Sequence, residues 1–403
     1  MNLCMEGGVK MDFRFTPEQE ALRKEFTEFC KEEAKSAPEG WIGGLAAEET
    51  DEGWAYHQSV VKKVAAKGWL CLPWPEEYGG KGHGPVEQLI FNEVMAYYRV
   101  PAIPFHFMTV AAGIMVYGTE EQKKEWLPKI ARAEINWAEG LSEPNAGSDL
   151  ASLTTTAVAD GAHYVINGQK VWTSGAHRAD HIFILARTDP NEPRHKGLTF
   201  FINKIGPGIE FRPLIFMNGS HFYNETFIDD FRVPRENVVG KVNQGWYVMM
   251  AGRNFARANI AFAAGGKRDL EDLIEYCKET QEGGEILAKK ALVRHRLVEL
   301  AIDFEAALKF AYYIAWLQSK GKDIAVEAAA CGYYASELNL RLANTAIEIM
   351  GLYGTVTRES NWAPLCGKFQ DLCQWSSGFT IAGGTTEIRK NIIAWQGLKL
   401  PRD

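Results

Sequence analysis

The chain has 403 residues, of which 46% are hydrophobic and 24% charged, and its formal net charge is -7. This length is sufficient for two or three domains, and the hydrophobic content excludes an intrinsically disordered chain. A net negative charge without a basic run excludes nucleic-acid binding driven by contacts to the phosphate backbone.

The seven cysteines are scattered and include no CxxC pair, which is typical of a reducing compartment and not of a disulfide framework. No apolar run approaches the roughly 18 residues that would cross a bilayer, so we expect no membrane insertion. The first ten residues, MNLCMEGGVK, lack the apolar stretch of a secretory signal. We expect a loose tail, or an early start codon before Met11, and a cytoplasmic protein.

A helical domain is predicted for residues 1–137. The segments 16–19 (TPEQ) and 119–122 (TEEQ) each have the sequence of a helix-starting capping box. Between them, the segment 73–84 is rich in proline and glycine but has no strand–turn–helix context of a phosphate-binding loop. We therefore predict a surface loop there.

An antiparallel β domain is predicted for residues 138–243. Two strand-like runs flank Asn167-Gly168, which is the strongest short signal for a hairpin turn. Because the turn residues Pro, Gly, Asn and Asp bound three further runs, additional strands are predicted. These runs are 181–186, 197–202 and 225–233.

A four-helix bundle is predicted for residues 244–403. The segments 292–316 and 324–350 are long and have broad apolar faces, as packed bundle helices do. Helices followed by strands and then by helices indicate an α+β fold with segregated domains, because alternating βαβ units would mix the two element types.

Two short segments, LSEPNAGSD at 141–149 and NGQKVWTSG at 167–175, carry the functional signal. Taken alone, each is compatible with an ordinary turn between strands. Together with GTEEQ, FRVP, IMG and GGTTEI, in that order along the chain, they resemble the acyl-CoA dehydrogenase family. The resemblance extends from Met11 to Arg402.

The resemblance implies FAD as a non-covalent cofactor. In the family's pattern, Leu141 and Ser142 would bind the polar edge of the flavin, and Trp172 would pack against its ring. Ser174, where the family usually has threonine, would donate its hydroxyl near flavin N5. Donors placed there stabilise the electron density that the flavin gains on reduction.

The resemblance also implies contacts to the rest of FAD. Glu348 and Gly351 would lie against the pyrophosphate and adenine half of the FAD of a neighbouring subunit. Thr385 and Glu387 would approach FAD from the last helix. The family's usual Arg-x-x-Phe-Gly cofactor motif is replaced here by TQEGG at 280–284. Part of the contact to the FAD phosphates therefore differs from the family pattern.

For the thioester, the family pattern assigns Ser148, Asn254 and Arg257 to the CoA moiety. The N–H of Gly383, together with a flavin ribityl hydroxyl, would polarise the thioester carbonyl as an oxyanion-hole device. This polarisation makes the proton next to the carbonyl more acidic.

The sequence departs from the family at the catalytic base. The two positions where the family places its glutamate are Gly383 and Ala256 here, and neither can accept a proton. If the acyl group is a ring already unsaturated next to the thioester, the acidic proton moves to the vinylogous γ carbon. A relocated base is then expected, and Glu93 and Glu139 are its candidates. The alternatives are that Glu93 is a structural helix residue and Glu139 a hydrogen-bonded strand residue.

The leading hypothesis is a dehydrogenase that oxidises a bulky or cyclic acyl-CoA by proton abstraction and hydride transfer to flavin N5. An electron-transfer flavoprotein is the expected acceptor, and a homotetramer or heterotetramer the expected assembly. Two alternatives stay open. The chain could be one subunit of a heteromeric acyl-CoA dehydrogenase, or a non-catalytic protein that binds acyl-CoA and FAD.

Overall fold

The computed structural model describes residues 14–43, 50–101, 107–255 and 260–402, with residues 253–255 described by their main chain. The N-terminal tail with its expected early start therefore lies outside the described residues.

Five helices make up the N-terminal part of the described chain. Thr16 starts the first helix, since its hydroxyl accepts from Gln19 N at 3.2 Å and its own N–H donates to Gln19 Oε1 at 3.0 Å. Thr119 and Gln122 form the same reciprocal pair, so both predicted capping boxes are confirmed. The helices are α1 (Pro17–Glu33), α2 (Asp51–Ala66), α3 (Pro85–Tyr97), α4 (Phe107–Tyr117) and α5 (Glu120–Ala131).

The middle part is an eight-stranded sheet in the order β6-β7-β3-β2-β4-β5-β8, with β1 paired to β4. Most pairs are antiparallel, as predicted, but β1 and β2 each pair parallel with β4. The strands are β1 (Trp137–Gly140), β2 (Thr156–Asp160), β3 (His163–Lys170), β4 (His181–Arg187), β5 (Leu198–Lys204), β6 (Ile209–Leu214), β7 (Tyr223–Pro234) and β8 (Val238–Val239).

The predicted hairpin turn at Asn167-Gly168 is wrong. Both residues lie inside β3, where the register with β7 shifts between Ile166 and Gly168. The Asn167 side chain closes this bulge with two hydrogen bonds. Its Nδ2 donates to Asp230 Oδ1 at 3.0 Å, and its Oδ1 accepts from the Asp230 N–H at 2.8 Å. A side chain at 168 would collide with Thr155, whose Oγ1 lies 2.5 Å from the position of a Cβ, so the dipeptide permits close packing instead of a chain reversal.

The C-terminal part is helical, as predicted, and two of its helices match the long amphipathic segments. A two-stranded hairpin, β9 (Gln281–Glu282) and β10 (Glu285–Ile286), occupies the region of the TQEGG segment. The helices are α6 (Gly245–Phe255), α7 (Ile260–Glu279), α8 (Ala291–Ser319), α9 (Ala325–Met350), α10 (Lys368–Phe379) and α11 (Thr386–Ile392).

The buried hydrophobic residues form separate clusters that follow this division. One joins the N-terminal helices to the inner face of the sheet, a second fills the C-terminal bundle, and a third covers the other face of the sheet. The fold is therefore α+β with helical, β and helical parts, while the exact boundaries at 137 and 243 stay a prediction. Among the described residues, no helix is long and apolar enough to cross a membrane.

Candidate active site

Two loops leave the sheet side by side and bring both sequence motifs together. The first follows β1 and the second follows β3. The Val171 N–H in the second loop donates to the Ser142 carbonyl in the first, at 2.9 Å. Because this bond couples the main chains of the two loops, the Leu141-Ser142 peptide and Trp172 lie next to each other.

A buried ion pair lies beneath these loops. Lys170 is 0% exposed and donates to Glu143 Oε1 at 2.8 Å, to the Leu141 carbonyl at 3.1 Å and to the Leu185 carbonyl at 2.9 Å. Glu143 also accepts from Thr154 N at 2.7 Å. Burial opposes ionisation of Glu143, but the Lys170 charge and these hydrogen bonds outweigh it and lower its pKa to about 2.

Sequence reasoning missed both members of this pair. Glu143 and Lys170 are within the quoted motifs, yet only their neighbours were assigned roles. The available signal was alternation, since Lys170 shares its strand face with the apolar Ile166, and such a face is expected to be buried. A lysine there requires buried acceptors, and a carboxylate in the adjacent motif is the natural partner.

Trp172 is presented to solvent by a rigid loop. Its backbone is left-handed (φ 62°), its residue is 55% exposed, and its ring meets Tyr223 edge-to-face at 5.6 Å. The next residue, Thr173, is buried and exchanges main-chain hydrogen bonds with Asn224 at 2.9 and 3.1 Å. The Ser174 hydroxyl lies 3.5 Å from the Trp172 carbonyl. A left-handed, exposed tryptophan on an anchored loop is the kind of strained feature that is found at ligand sites.

A stacked histidine pair supports this loop from behind. The rings of His177 and His221 are 4.0 Å apart, and His221 Nε2 lies 2.9 Å from Asn224 Oδ1. Asn224 in turn donates from its side chain to the Thr173 carbonyl at 3.1 Å. Burial, with the charges of His221 and Arg178 adding to it, lowers the pKa of His177 to about 4. His177 is therefore uncharged at neutral pH, which suits its packed position.

An aromatic cluster joins this edge of the sheet to the C-terminal bundle. Trp375 of α10 is 4% exposed, stacks on Phe216 at 4.4 Å and lies 5.9 Å from Tyr223. Tyr223 is the residue that contacts Trp172, so the loop after β3 and α10 are connected through two aromatic contacts. The chain leaves α10 directly into the glycine turn that precedes α11.

That turn holds the C-terminal motif. Gly383 and Gly384 have φ values of 70° and 118°, a region that only glycine adopts without strain, so a glutamate at 383 would be disfavoured in this conformation. The Thr385 hydroxyl caps α11 by accepting from Ile388 N at 3.2 Å. Glu387 is exposed in the first turn, and hydrogen bonds from its own N–H and from Thr385 lower its pKa.

Two predicted cofactor residues, Glu348 and Gly351, lie at the C-terminal end of α9. Gly351 ends this helix with φ 60°, and the exposed Glu348 pairs with Arg296 of α8. In contrast, Thr386 of the glycine-turn region bonds Glu337, eleven residues before Glu348 on the same helix. At 1.5 Å per residue the two regions are roughly 16 Å apart along α9, so one chain does not bring them together.

The predicted CoA contacts are described only in part. Ser148 is exposed in the loop after β1, and Asn254 lies in the last turn of α6. Arg257 and the nearby Ala256 lie outside the described residues.

The two candidate bases have different surroundings. Glu93 of α3 is bound through both carboxylate oxygens, to Arg23 of α1 and to the Tyr312 hydroxyl of α8, each at 2.7 Å. Glu139 is half-buried on β1, opposite Phe183 and two residues before Leu141. Neither role as base is tested by this geometry, and both stay predictions.

Comparison with known proteins decides the family. Residues 16–134, 138–229 and 243–398 match the N-terminal, middle and C-terminal domain models of acyl-CoA dehydrogenases. The chain belongs to the acyl-CoA dehydrogenase family. Among curated acyl-CoA dehydrogenases, it is 36% identical to FadE29 of Mycobacterium tuberculosis, covering 88% of this chain and 91% of that protein. It is 33% identical to FadE26 of the same organism, covering 97% and 99%.

Solved acyl-CoA dehydrogenase structures share the whole fold. The structure named Tcur3481-Tcur3483 steroid ACAD superposes with a TM-score of 0.85 at 32% identity, covering 98% of this chain and 100% of that one. The ChsE4-ChsE5 complex from Mycobacterium tuberculosis gives the same TM-score, identity and coverage. The family oxidises acyl-CoA thioesters with FAD.

The residues at this edge fit a planar flavin. Trp172 supplies an exposed aromatic face, and the adjoining Leu141-Ser142 main chain supplies polar groups anchored from below by Lys170. A rigid aromatic surface beside fixed hydrogen-bonding groups is the combination that a flavin ring requires.

Proposed function

We propose that this acyl-CoA dehydrogenase binds FAD and removes hydrogen from a bulky or cyclic acyl-CoA thioester. The observation that carries the proposal is the exposed, left-handed Trp172, coupled through the Tyr223–Trp375 contact to the helix that leads into the Gly383 turn. These aromatic contacts thus connect the residues predicted to bind the flavin with the residues predicted to bind the thioester.

The chain's own residues would hold the cofactor. Leu141 and Ser142 would bind the polar edge of the ring, Trp172 would pack on its face, and Ser174 would donate near N5. FAD, when bound, supplies the acceptor for the hydride from the substrate. Thr385 and Glu387 would contact it from α11, whereas Glu348 and Gly351, because they lie roughly 16 Å away along α9, would serve the site of a neighbouring subunit.

The thioester would be fixed by polar groups at both ends. Ser148, Asn254 and Arg257 would contact CoA, and an arginine suits its phosphates because the guanidinium presents several donors to one phosphate group. The Gly383 N–H would polarise the carbonyl. For the proton, Glu139 and Glu93 are the proposed acceptors, and Glu93 already accepts hydrogen bonds from Arg23 and Tyr312.

Two observations support a substrate class. The family's two glutamate positions hold the smaller residues glycine and alanine, and one solved relative is named a steroid ACAD. We therefore propose a steroid-type or comparably bulky ring system in a cytoplasmic enzyme, with an electron-transfer flavoprotein as acceptor.

Flavin bleaching tests this function directly. The purified protein would be mixed anaerobically with butyryl-, octanoyl-, cyclohexanecarbonyl- and cholanoyl-CoA, and absorbance of the oxidised flavin followed. Cyclohexanecarbonyl- or cholanoyl-CoA should bleach the flavin, and the straight-chain thioesters should bleach it more slowly. Fast bleaching by octanoyl-CoA alone would refute the bulky substrate. In a separate aerobic assay, rapid peroxide formation at the full turnover rate would refute the proposed acceptor.

A heteromeric enzyme is the second candidate, favoured by two observations. Both usual base positions lack a carboxylate, and the solved relatives include a complex named for two different chains, ChsE4-ChsE5. Here the protein alone would bind FAD without being bleached, and co-expression with an acyl-CoA dehydrogenase chain encoded next to it would restore bleaching. Tight acyl-CoA binding without bleaching under both conditions would instead indicate a non-catalytic protein.

A further inference from the structure

The main chain before Gly383 is held by an arginine on the following helix. Arg389 Nη2 of α11 donates to the Ala382 carbonyl at 3.2 Å. Its other terminal nitrogen donates to the Gly332 carbonyl at 2.8 Å and to the Ser336 hydroxyl at 3.0 Å, both on α9. The guanidinium therefore fastens the glycine turn to a long bundle helix.

The geometry of the peptide group makes this contact directional. The Ala382 carbonyl and the Gly383 N–H belong to one planar trans peptide, so they point in opposite directions. Holding the carbonyl at Arg389 consequently aims the N–H away from α11. In the described part of the chain this N–H donates no hydrogen bond to a main-chain group, and Gly383 is exposed.

The turn is also held on its N-terminal side, where the Ala382 N–H donates to the Gly378 carbonyl at 2.8 Å. Gly383 and Gly384 both have positive φ values and would rotate readily without a fixed neighbour. Thr386 anchors the turn from the other side, by bonding Glu337 through its hydroxyl at 2.6 Å and the Thr380 carbonyl through its N–H at 2.9 Å. Between these anchors, the Arg389 guanidinium contacts the Ala382–Gly383 peptide through the Ala382 carbonyl.

We propose that Arg389 is a positioning residue, which orients the Gly383 N–H toward the thioester carbonyl. This inference rests on the proposed function, because it concerns the carbonyl-polarising group of that site. Arginine suits the task since its planar, rigid fork satisfies α9 and the turn simultaneously, whereas lysine presents a single flexible ammonium. Misplacing a catalytic donor by about 1 Å reduces rates by about 100-fold, so the orientation matters to the chemistry.

The test compares Arg389→Lys and Ser336→Ala with Lys390→Ala as a matched control. Lys390 is the adjacent cation on α11, is exposed, and contacts the Tyr333 ring 4.8 Å away and not the turn. Three quantities are measured with cholanoyl-CoA. They are the rate of flavin reduction, the dissociation constant of the thioester, and the infrared stretching frequency of the ¹³C-labelled thioester carbonyl in the bound state. Hydrogen–deuterium exchange of residues 379–388 is followed without any thioester.

For Arg389→Lys, we expect flavin reduction about 10- to 100-fold slower, with the dissociation constant changed less than about 3-fold. The carbonyl band should move toward that of free thioester, and exchange in the turn should rise about 10-fold. Ser336→Ala should shift all of these quantities in the same direction but less, and Lys390→Ala should leave them unchanged. If Arg389→Lys loses FAD or does not fold, Ser336→Ala decides.

The inference would be overturned if the deciding variant had the same rate of flavin reduction, the same carbonyl frequency and the same hydrogen exchange as the wild type. An inert wild type contradicts the proposed function instead, and the exchange measurement then still decides whether Arg389 fixes the Gly383 peptide.

Discussion

The buried pair of Glu143 and Lys170 determines how the loops after β1 and β3 are held. Removing one partner leaves an uncompensated buried charge, which costs about 3–5 kcal/mol. Lys170→Met and Glu143→Gln should therefore lower the free energy of unfolding by this amount, as measured by urea denaturation. Asp149→Asn, which breaks an exposed pair with Arg194 on the same edge of the molecule, should cost less than about 1 kcal/mol. Equal losses in all three variants would contradict this assignment.

The same pair predicts a loss of stability in acid. The pKa of Glu143 lies at about 2 in the folded chain, below its ordinary value of 4.5. The unfolded state then binds the proton more readily, so this stabilisation is fully present above pH 4.5 and is lost as the pH falls toward about 2. Glu143→Gln should flatten the pH dependence of unfolding in this window. An unchanged slope would show that other carboxylates carry the acid sensitivity.

The loop after β3 is the predicted contact for the flavin ring. Trp172 is exposed on it, and Val171 of the same loop donates to the Ser142 carbonyl. We expect Trp172 to supply apolar contact area and Ser142 to supply hydrogen bonds. The double substitution Trp172→Ala and Ser142→Ala should weaken FAD binding by about 2–5 kcal/mol, measured by flavin release during ultrafiltration. Trp362→Ala, at another exposed tryptophan, is the control and should retain FAD. Retention by the double variant would place the flavin elsewhere.

Helix α10 contacts residues 216–223 through aromatic side chains and through a hydrogen bond from Asn218 Nδ2 to Asp371 Oδ1 at 2.6 Å. Trp375 stacks on Phe216 and also contacts Phe222 and Tyr223, so Trp375→Ala should cost about 3–5 kcal/mol. Because this connection joins two parts of the molecule, hydrogen exchange should increase in residues 215–224 and 368–379 together. Trp375→Phe, which keeps an aromatic ring, should lose less. An increase confined to α10 would show that the cluster does not couple the two parts.

At the scale of the whole molecule, we predict an assembly of four chains. Glu348 and Gly351 lie far along α9 from the glycine turn, and they are followed by Leu352, which is 86% exposed, and by the exposed Tyr353. Light scattering should give four times the 45.1 kDa mass of one chain. Leu352→Asp should shift the assembly toward smaller species, whereas Val158→Asp, at an exposed valine of β2, should not. A monomer with full FAD content would refute shared cofactor sites.

Local sequence determined the element types, the helix starts and the family. Capping boxes and amphipathic periodicity depend on residues three or four positions apart, so Thr16, Thr119 and the long helices α8 and α9 were predictable. The family motifs could be recognised in the sequence for the same reason. Contacts between distant segments were decided only by tertiary structure. Asn167-Gly168 stayed within β3, opposite a bulge of β7, because β7 and Thr155 pack against it. Lys170 became buried because Glu143 and two carbonyls surround its ammonium, and Arg389 reached the Gly383 peptide because α9 holds its guanidinium.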